Sequence, residues 1–153
     1  MKKIINLILV GCGIAFILWT YQNNQIDPVI ESPEIRLIVE EWKRDMNHTG
    51  LDGDKLIKRV DRIMIVKHIP SQEKSHTVGK SDHGTRTIWI RERHYEPEYL
   101  KALVYHELGH YLFGLKHQGT GEIMSAHLIE EPGYYKRNWD TLLPIYLDKC
   151  KNK

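Results

Sequence analysis

The sequence has few cysteines, little net charge and no repeated segment. Its 153 residues include two cysteines, Cys12 and Cys150, which lie near opposite ends of the chain. This placement argues against an intramolecular disulfide, so the fold must depend on its hydrophobic core. The 22 basic and 20 acidic residues nearly balance and the basic ones are dispersed, which argues against a nucleic-acid-binding surface. The length suits one domain with one core.

The first 21 residues predict a membrane or export segment. Lys2 and Lys3 precede residues 4–19, which are almost wholly apolar. Lysines ahead of an apolar run predict a cytoplasmic N-terminus, with the rest of the chain exported. Three interpretations stay open: a retained membrane anchor, a cleaved signal peptide, or a lipoprotein whose mature chain begins at Cys12. We expect a membrane-anchored protein whose folded domain is periplasmic or extracellular.

Residues 22–31 are polar and predict a short tether, which leads into a domain spanning residues 32–153. Ser32 and Pro33 are typical of a helix start, with an N-cap followed by proline in the first helical position. Apolar residues then follow at helical spacing, namely Ile35, Ile38, Val39, Trp42 and Met46. This amphipathic helix needs a sheet or a second helix to cover its apolar side.

Two later runs predict strands. The apolar run that begins at Ile63 and closes at Pro70 is typical of a strand covered on both faces. Residues 87–90 predict a second buried strand, and residues 76–80 at most a short one. A long helix is expected from Pro97 to about residue 113. Together these elements predict an α+β fold, with a small mixed β-sheet, an N-terminal helix, a central helix and a C-terminal helix.

Residues 138–150 predict the C-terminal helix, because Trp139, Leu142, Leu143, Tyr146 and Leu147 recur at helical spacing. Pro144 has no backbone N–H and is poorly tolerated inside a helix. The pattern fits if Thr141 is the N-cap, since Pro144 then falls in the first turn.

The run His106-Glu107-Leu108-Gly109-His110 predicts the chemistry of the chain. Two histidines four residues apart lie one turn from each other on a helix, so both rings can reach one metal ion. The surrounding helix is apolar, and polar groups buried there are costly unless they find partners. A zinc ion satisfies both imidazoles, and Glu107 can face a metal-bound water.

His117 is the predicted third zinc ligand. Gly114 can adopt the left-handed conformation that ends a helix, and the chain then turns back towards the metal. Three neutral imidazoles leave a fourth zinc position open for water, whose pKa falls towards neutrality. We expect Glu107 to take the proton of this water during attack on a peptide carbonyl and to return it to the leaving amine.

The whole pattern resembles the metzincin clan of zinc metalloproteases, whose central helix carries the HExxH motif. The resemblance rests on His-Glu-Leu-Gly-His, the following glycine and histidine, and a methionine in a downstream turn. It implies a zincin-like fold and a zinc endopeptidase acting on a protein or peptide substrate. It also implies the residue roles: His106, His110 and His117 as zinc ligands, Glu107 as the base, and Met124 as an apolar floor beneath the metal.

One feature departs from the clan pattern. Three residues, 111–113, separate His110 from Gly114, where the clan has two. His117 therefore comes one residue late, so either the helix runs one residue further or the turn differs. Further candidates stay open: Glu122, His127 and Glu130 as the third ligand, and Tyr134 or Tyr135 as a contact to the metal or an oxyanion.

Two rival functions remain open. A non-catalytic structural zinc module at the cell surface would have four protein ligands and no exchangeable water. A zinc amidase acting on the cell wall would share the open site and differ in its substrate. For the endopeptidase, we expect the substrate to lie extended along the sheet edge near residues 76–80, paired by main-chain hydrogen bonds.

Overall fold

The computed structural model describes residues 27–70 and 77–153. Its elements in chain order are β1 (Val29–Ile30), α1 (Pro33–His48), α2 (Gly53–Ile57), β2 (Arg62–Val66), β3 (Gly79–Asp82), β4 (Thr87–Arg91), α3 (Pro97–Phe113) and α4 (Tyr134–Lys151). The predicted anchor or signal segment, residues 1–21, lies outside this part of the chain. Among the helices of the described part, none is long and apolar enough to cross a membrane.

The four strands form one mixed sheet in the order β1-β2-β4-β3. Strands β1, β2 and β4 are parallel, whereas β3 pairs antiparallel with β4 and forms one edge of the sheet. The register sets Gly79 opposite Ile90 and Ser81 opposite Ile88. Opposed residues point to the same side of a sheet, so all four share one face. The predicted α+β fold, with its mixed sheet and three main helices, is confirmed.

Helix α1 begins and packs as its sequence predicts. The Ser32 side chain accepts a hydrogen bond from the backbone N–H of Ile35 at 3.3 Å, and Pro33 is the first helical residue. All five predicted apolar residues are buried: Ile35, Ile38, Val39, Trp42 and Met46. They meet the apolar side of the sheet and helix α3, which supplies the cover that the amphipathic pattern requires.

One buried tyrosine in the core, Tyr146 of α4, forms hydrogen bonds to both α1 and α3. The hydroxyl of Tyr146 in α4 accepts a hydrogen bond from the indole N–H of Trp42 in α1 at 3.1 Å. The same hydroxyl donates to the backbone carbonyl of Tyr105 in α3 at 2.8 Å. Tyr146 is 1% exposed, so these bonds lie where water cannot replace them. The apolar face of the sheet closes the core through Ile63, Ile88 and Ile90.

The prediction that Thr141 is the N-cap of the last helix is wrong. Helix α4 begins at Tyr134, after Gly133 at a φ of 69°, and Pro144 lies inside it. The early start is explained by Tyr135, which is 2% exposed and packs edge-on against Tyr99 of α3 at 6.0 Å. Because Pro144 has no backbone N–H, the carbonyl of Asp140, four residues earlier, has no helical hydrogen-bond donor. Both residues are exposed, so water can hydrate this carbonyl.

The strand predictions are correct in kind and inaccurate in extent. Strand β2 ends at Val66, and Ile65 is 36% exposed, so it is not covered on both faces along its length. Strand β4 is buried as predicted over residues 87–90. The edge strand β3 begins at Gly79, later than the expected residues 76–80, of which residue 76 lies outside the described part.

Replacing Tyr146 by phenylalanine tests the buried link between the helices. The variant Tyr146→Phe leaves the indole N–H of Trp42 buried without its acceptor, so the free energy of unfolding is expected to fall by about 1–3 kcal/mol. Urea denaturation followed by tryptophan fluorescence measures the change. The control is Tyr95→Phe, which removes a half-buried hydroxyl that donates to the Arg91 carbonyl at 2.8 Å. Equal losses in both variants would contradict the importance of the Tyr146 link.

Candidate metal centre

Helix α3 carries the motif through the centre of the protein. It spans Pro97 to Phe113, and the only side chains of its last three turns that are not buried are those of His110 and Phe113. His106 and Glu107 are 6% and 4% exposed, which is unusual for such polar groups. The helix therefore holds its imidazoles and its carboxylate rigidly, at a depth where each of them requires a partner.

The turn after α3 accounts for the extra residue in the motif. The helix includes all three residues between His110 and Gly114, ending at Phe113, and Gly114 takes the left-handed conformation with a φ of 60°. The backbone N–H of Leu115 then donates to the carbonyl of Gly109 at 3.2 Å, which closes the helix end. From this turn the chain doubles back and brings His117 beside the two histidines of the helix.

The three imidazole rings converge through their Nε2 atoms. The Nε2 of His110 lies 2.9 Å from that of His106 and 3.0 Å from that of His117. The remaining separation, between His106 and His117, is 3.3 Å. Two nitrogens bound at about 2.0–2.1 Å to one tetrahedral zinc ion lie about 3.3 Å apart. The spacing of the three rings is therefore that of ligands sharing one metal ion.

Two backbone carbonyls fix which nitrogen faces the centre. The Nδ1 of His106 lies 2.7 Å from the Ile123 carbonyl oxygen, and the Nδ1 of His110 lies 2.5 Å from that of Leu115. A carbonyl oxygen only accepts, so each Nδ1 carries the proton and each Nε2 of a neutral ring presents a lone pair. Two lone pairs 2.9 Å apart repel each other, and a cation between them removes the conflict.

The electrostatics of the site favour neutral histidines. Burial lowers the pKa of His106 to about 4, with the Ile123 carbonyl opposing the shift and the two nearby histidines adding to it. Burial also lowers the pKa of His110, against the effect of its hydrogen bond to Leu115. At neutral pH both rings are therefore uncharged, which is the form that binds metal ions.

Glu107 is buried beside these rings and is held by the edge strand. Burial raises its pKa to about 8, and a side-chain hydrogen bond from Ser81 opposes this shift. A cation held by the histidines would favour the ionised carboxylate. Space for the side chain comes from Gly79, where a Cβ atom would lie 2.5 Å from the Glu107 Oε1.

Met124 packs against helix α3 at Gly109, and it lies in a short turn that also contacts the histidine segment. A Cβ atom at Gly109 would lie 2.8 Å from the Met124 sulfur, so the helix and the methionine approach as closely as glycine allows. The turn is closed by the N–H of Ser125, which donates to the Glu122 carbonyl at 3.1 Å. The carbonyl of Met124 accepts from the N–H of Gln118, next to His117, at 2.9 Å.

A cavity of about 710 Å³ opens over the site. Its lining includes residues 77–81, which contain most of edge strand β3, and residues 125–128 with Glu130. His106, Glu107, His110 and His117 all contribute to its surface. The converging nitrogens and the carboxylate therefore face a space that a ligand can enter.

The other residues considered as the third ligand, Glu122, His127 and Glu130, lie outside the three-histidine group. In the described ranges, His106, His110 and His117 form the one group of three or more potential ligands whose ligand atoms lie within 4.8 Å of one another. Glu122 pairs with Lys149, and Glu130 pairs with Arg93 at 3.0 Å. His127 lines the cavity and is exposed.

The two candidate tyrosines bond to the backbone instead of facing the cavity. The hydroxyl of Tyr134 donates to the Gly121 carbonyl at 2.9 Å. The hydroxyl of Tyr135 accepts from the backbone N–H of Ile129 at 3.0 Å. Neither tyrosine lines the cavity, so both support the segment that carries Met124.

Gly79 and Ser81, which lie beside Glu107, were not predicted from the sequence. Both lie on β3, whose sequence Gly-Lys-Ser-Asp has low strand propensity. The available signal was the alternation of two small residues around Lys80, which predicts a strand face with room for another side chain.

Replacing Gly109 by alanine tests the close contact beneath the metal centre. Alanine normally stabilises a helix interior by up to about 1 kcal/mol relative to glycine. Here the new Cβ would also lie 3.1 Å from the Tyr146 ring, so Gly109→Ala is expected to lower the free energy of unfolding by about 1–3 kcal/mol. Chemical denaturation measures the sign of the change in the free energy of unfolding. A variant more stable than wild type would refute the close contact at Gly109.

Comparison of the chain with protein-family models, with curated proteins and with solved structures found no match. The nature of the site therefore follows from its geometry. Three histidines from helix α3 and the turn after it form a group that could hold a metal ion, consistent with a zincin-like site.

Proposed function

We propose that this protein is a zinc-dependent metalloendopeptidase. The observation that carries the proposal is the convergence of three Nε2 atoms within 2.9–3.3 Å, beside a buried glutamate and beneath an open cavity. A structural zinc site is normally closed by four protein ligands, whereas a catalytic site has three and an open position. The described residues supply three ligands that face a cavity, which supports the catalytic class.

Zinc is the proposed metal because of the donor set. Neutral imidazoles suit zinc, copper, iron and nickel, and a site of three histidines with an open position is typical of catalytic zinc. His106, His110 and His117 would hold the ion through their Nε2 atoms. When bound, it would supply Lewis acidity, which makes water acidic enough to lose a proton near neutral pH.

Glu107 is the proposed general base. Its carboxylate lies in the same cavity as the three imidazoles and is shielded from bulk water. In this position Glu107 accepts the proton of the attacking water and later donates it to the leaving amine of the cleaved peptide. Its burial matches this task, because burial raises the carboxylate pKa towards the working pH.

The proposed substrate is an extended peptide lying along β3. This strand pairs with β4 on one side and is the outer strand of the sheet on the other. An edge strand offers backbone groups to which an added strand can hydrogen-bond, and residues 77–81 line the cavity that contains the histidines. We further propose that residues 1–21 tether the domain to a membrane, with the site in the periplasm or outside the cell.

Metal binding is tested by removing the third histidine. His117→Ala is expected to weaken zinc binding by more than about 100-fold, because loss of an outer-shell partner alone costs about 10–100-fold. His127→Ala is the matched control, since His127 is an exposed histidine of the same cavity outside the three-histidine group. Competition with a chromogenic chelator measures both dissociation constants. Equal affinities in the two variants would remove His117 from the ligand set.

Catalysis is tested by Glu107→Gln, which keeps the size of the side chain and removes its basicity. We expect zinc content to stay near one per chain while kcat on casein or a peptide library falls by about 10²–10⁴-fold. Glu98→Gln is the control, because it makes the same change on the same helix outside the cavity. Full activity of Glu107→Gln would overturn the assigned base.

A hydroxamate inhibitor distinguishes the peptidase from the structural zinc module. It needs an exchangeable metal position, so the peptidase is expected to bind it at the zinc ion and a closed four-ligand site is not. Hydrolysis of cell-wall amide bonds without cleavage of any protein or peptide would favour the amidase instead.

A further inference from the structure

We propose that Ser81 is a positioning residue, whose hydroxyl holds the Glu107 carboxylate in place beside the three histidines. The inference rests on the proposed function, because the orientation of Glu107 matters to hydrolysis only if Glu107 is the base. Strand β3 would then have two roles in the reaction: its backbone pairs with the substrate, and its Ser81 side chain positions the base.

The sheet register brings Ser81 to Glu107. Ser81 and Gly79 lie on the same face of β3, opposite Ile88 and Ile90 of β4, and this is the face on which helix α3 packs. On this face of the sheet, β4 presents two isoleucines, whereas the edge strand β3 presents the smaller glycine and serine. The carboxylate of Glu107 occupies the space that this change creates.

Gly79 and Ser81 have complementary roles around the carboxylate. A Cβ atom at Gly79 would lie 2.5 Å from the Glu107 Oε1 and 2.9 Å from both Cδ and Cγ, so the glycine backbone limits the side chain on one side. The Ser81 hydroxyl is at the next inward-facing position, lines the same cavity as the carboxylate and lowers its pKa. A glutamate side chain has three rotatable torsions, and these two contacts reduce the conformations it can adopt.

The metal ligands are held by other groups. The carbonyls of Ile123 and Leu115 orient the rings of His106 and His110, and neither carbonyl belongs to β3. Lys80, between the two small residues, points to the opposite face, where its ammonium lies 5.7 Å from the centre of the Trp89 ring. Removing the Ser81 hydroxyl therefore frees Glu107 without disturbing the histidines.

The kinetic test compares Ser81→Ala with Ser81→Thr. Alanine removes the hydroxyl, so kcat is expected to fall about 10- to 100-fold while KM and the zinc dissociation constant stay within about threefold of wild type. Threonine keeps a hydroxyl and suits a strand, so it is expected to restore kcat to within about fivefold. In a Glu107→Gln background, Ser81→Ala is expected to have no further effect on kcat. An unchanged kcat in Ser81→Ala, or an equal loss in that background, overturns the proposal.

A second measurement needs no catalysis. In metal-free protein labelled with ¹³C at the glutamate carboxyl carbons, the Glu107 resonance is identified by its loss in Glu107→Gln. It is expected to shift in Ser81→Ala and to stay near its wild-type position in Ser81→Thr. No shift in Ser81→Ala means that the hydroxyl does not hold the carboxylate, and the proposal fails. If the resonance shifts in Ser81→Ala and the wild-type protein cleaves no peptide, the contact is supported and only the peptidase function is refuted.

Discussion

The hydrogen bonds from two imidazole Nδ1 atoms to backbone carbonyls govern the geometry of the candidate metal centre. Because the Ile123 and Leu115 carbonyls can only accept, they fix the tautomers of His106 and His110 and turn both Nε2 lone pairs inwards. Neither carbonyl belongs to a regular helix or strand. The ligand geometry therefore depends on two turns outside the motif helix, and the motif by itself is only part of the site.

The burial of α3 makes this arrangement rigid. Polar side chains on an exposed helix would sample many rotamers, whereas His106 and Glu107 are buried, with Ile123 beside His106 and Gly79 of the edge strand beside Glu107. Gly109 lets this turn approach the helix backbone directly. Such enclosure is costly for polar groups unless each has a partner. The carbonyls, the Ser81 hydroxyl and a bound cation together would supply those partners.

Local patterns in the sequence predicted the helices and the motif well, because their causes are local. Ser32 caps α1 and Gly114 ends α3 through contacts within a few residues. Contacts between distant residues were not predictable in this way. The start of α4 depends on Tyr135 packing against Tyr99, and this contact overrode the signal of Pro144. Ser81 reaches Glu107 only through the register of β3 on β4, which no local pattern specifies.

The position of α4 in the chain has a consequence for the order of assembly. Tyr146 of α4 lies against Gly109 of α3, and Lys149 of α4 pairs with Glu122 at the start of the turn that carries Met124. Helix α4 therefore supports both α3 and this turn. A chain in which α4 has not yet packed lacks both supports. The ligand triad can therefore reach its final geometry only after α4 has packed against α3 and against the turn that carries Met124.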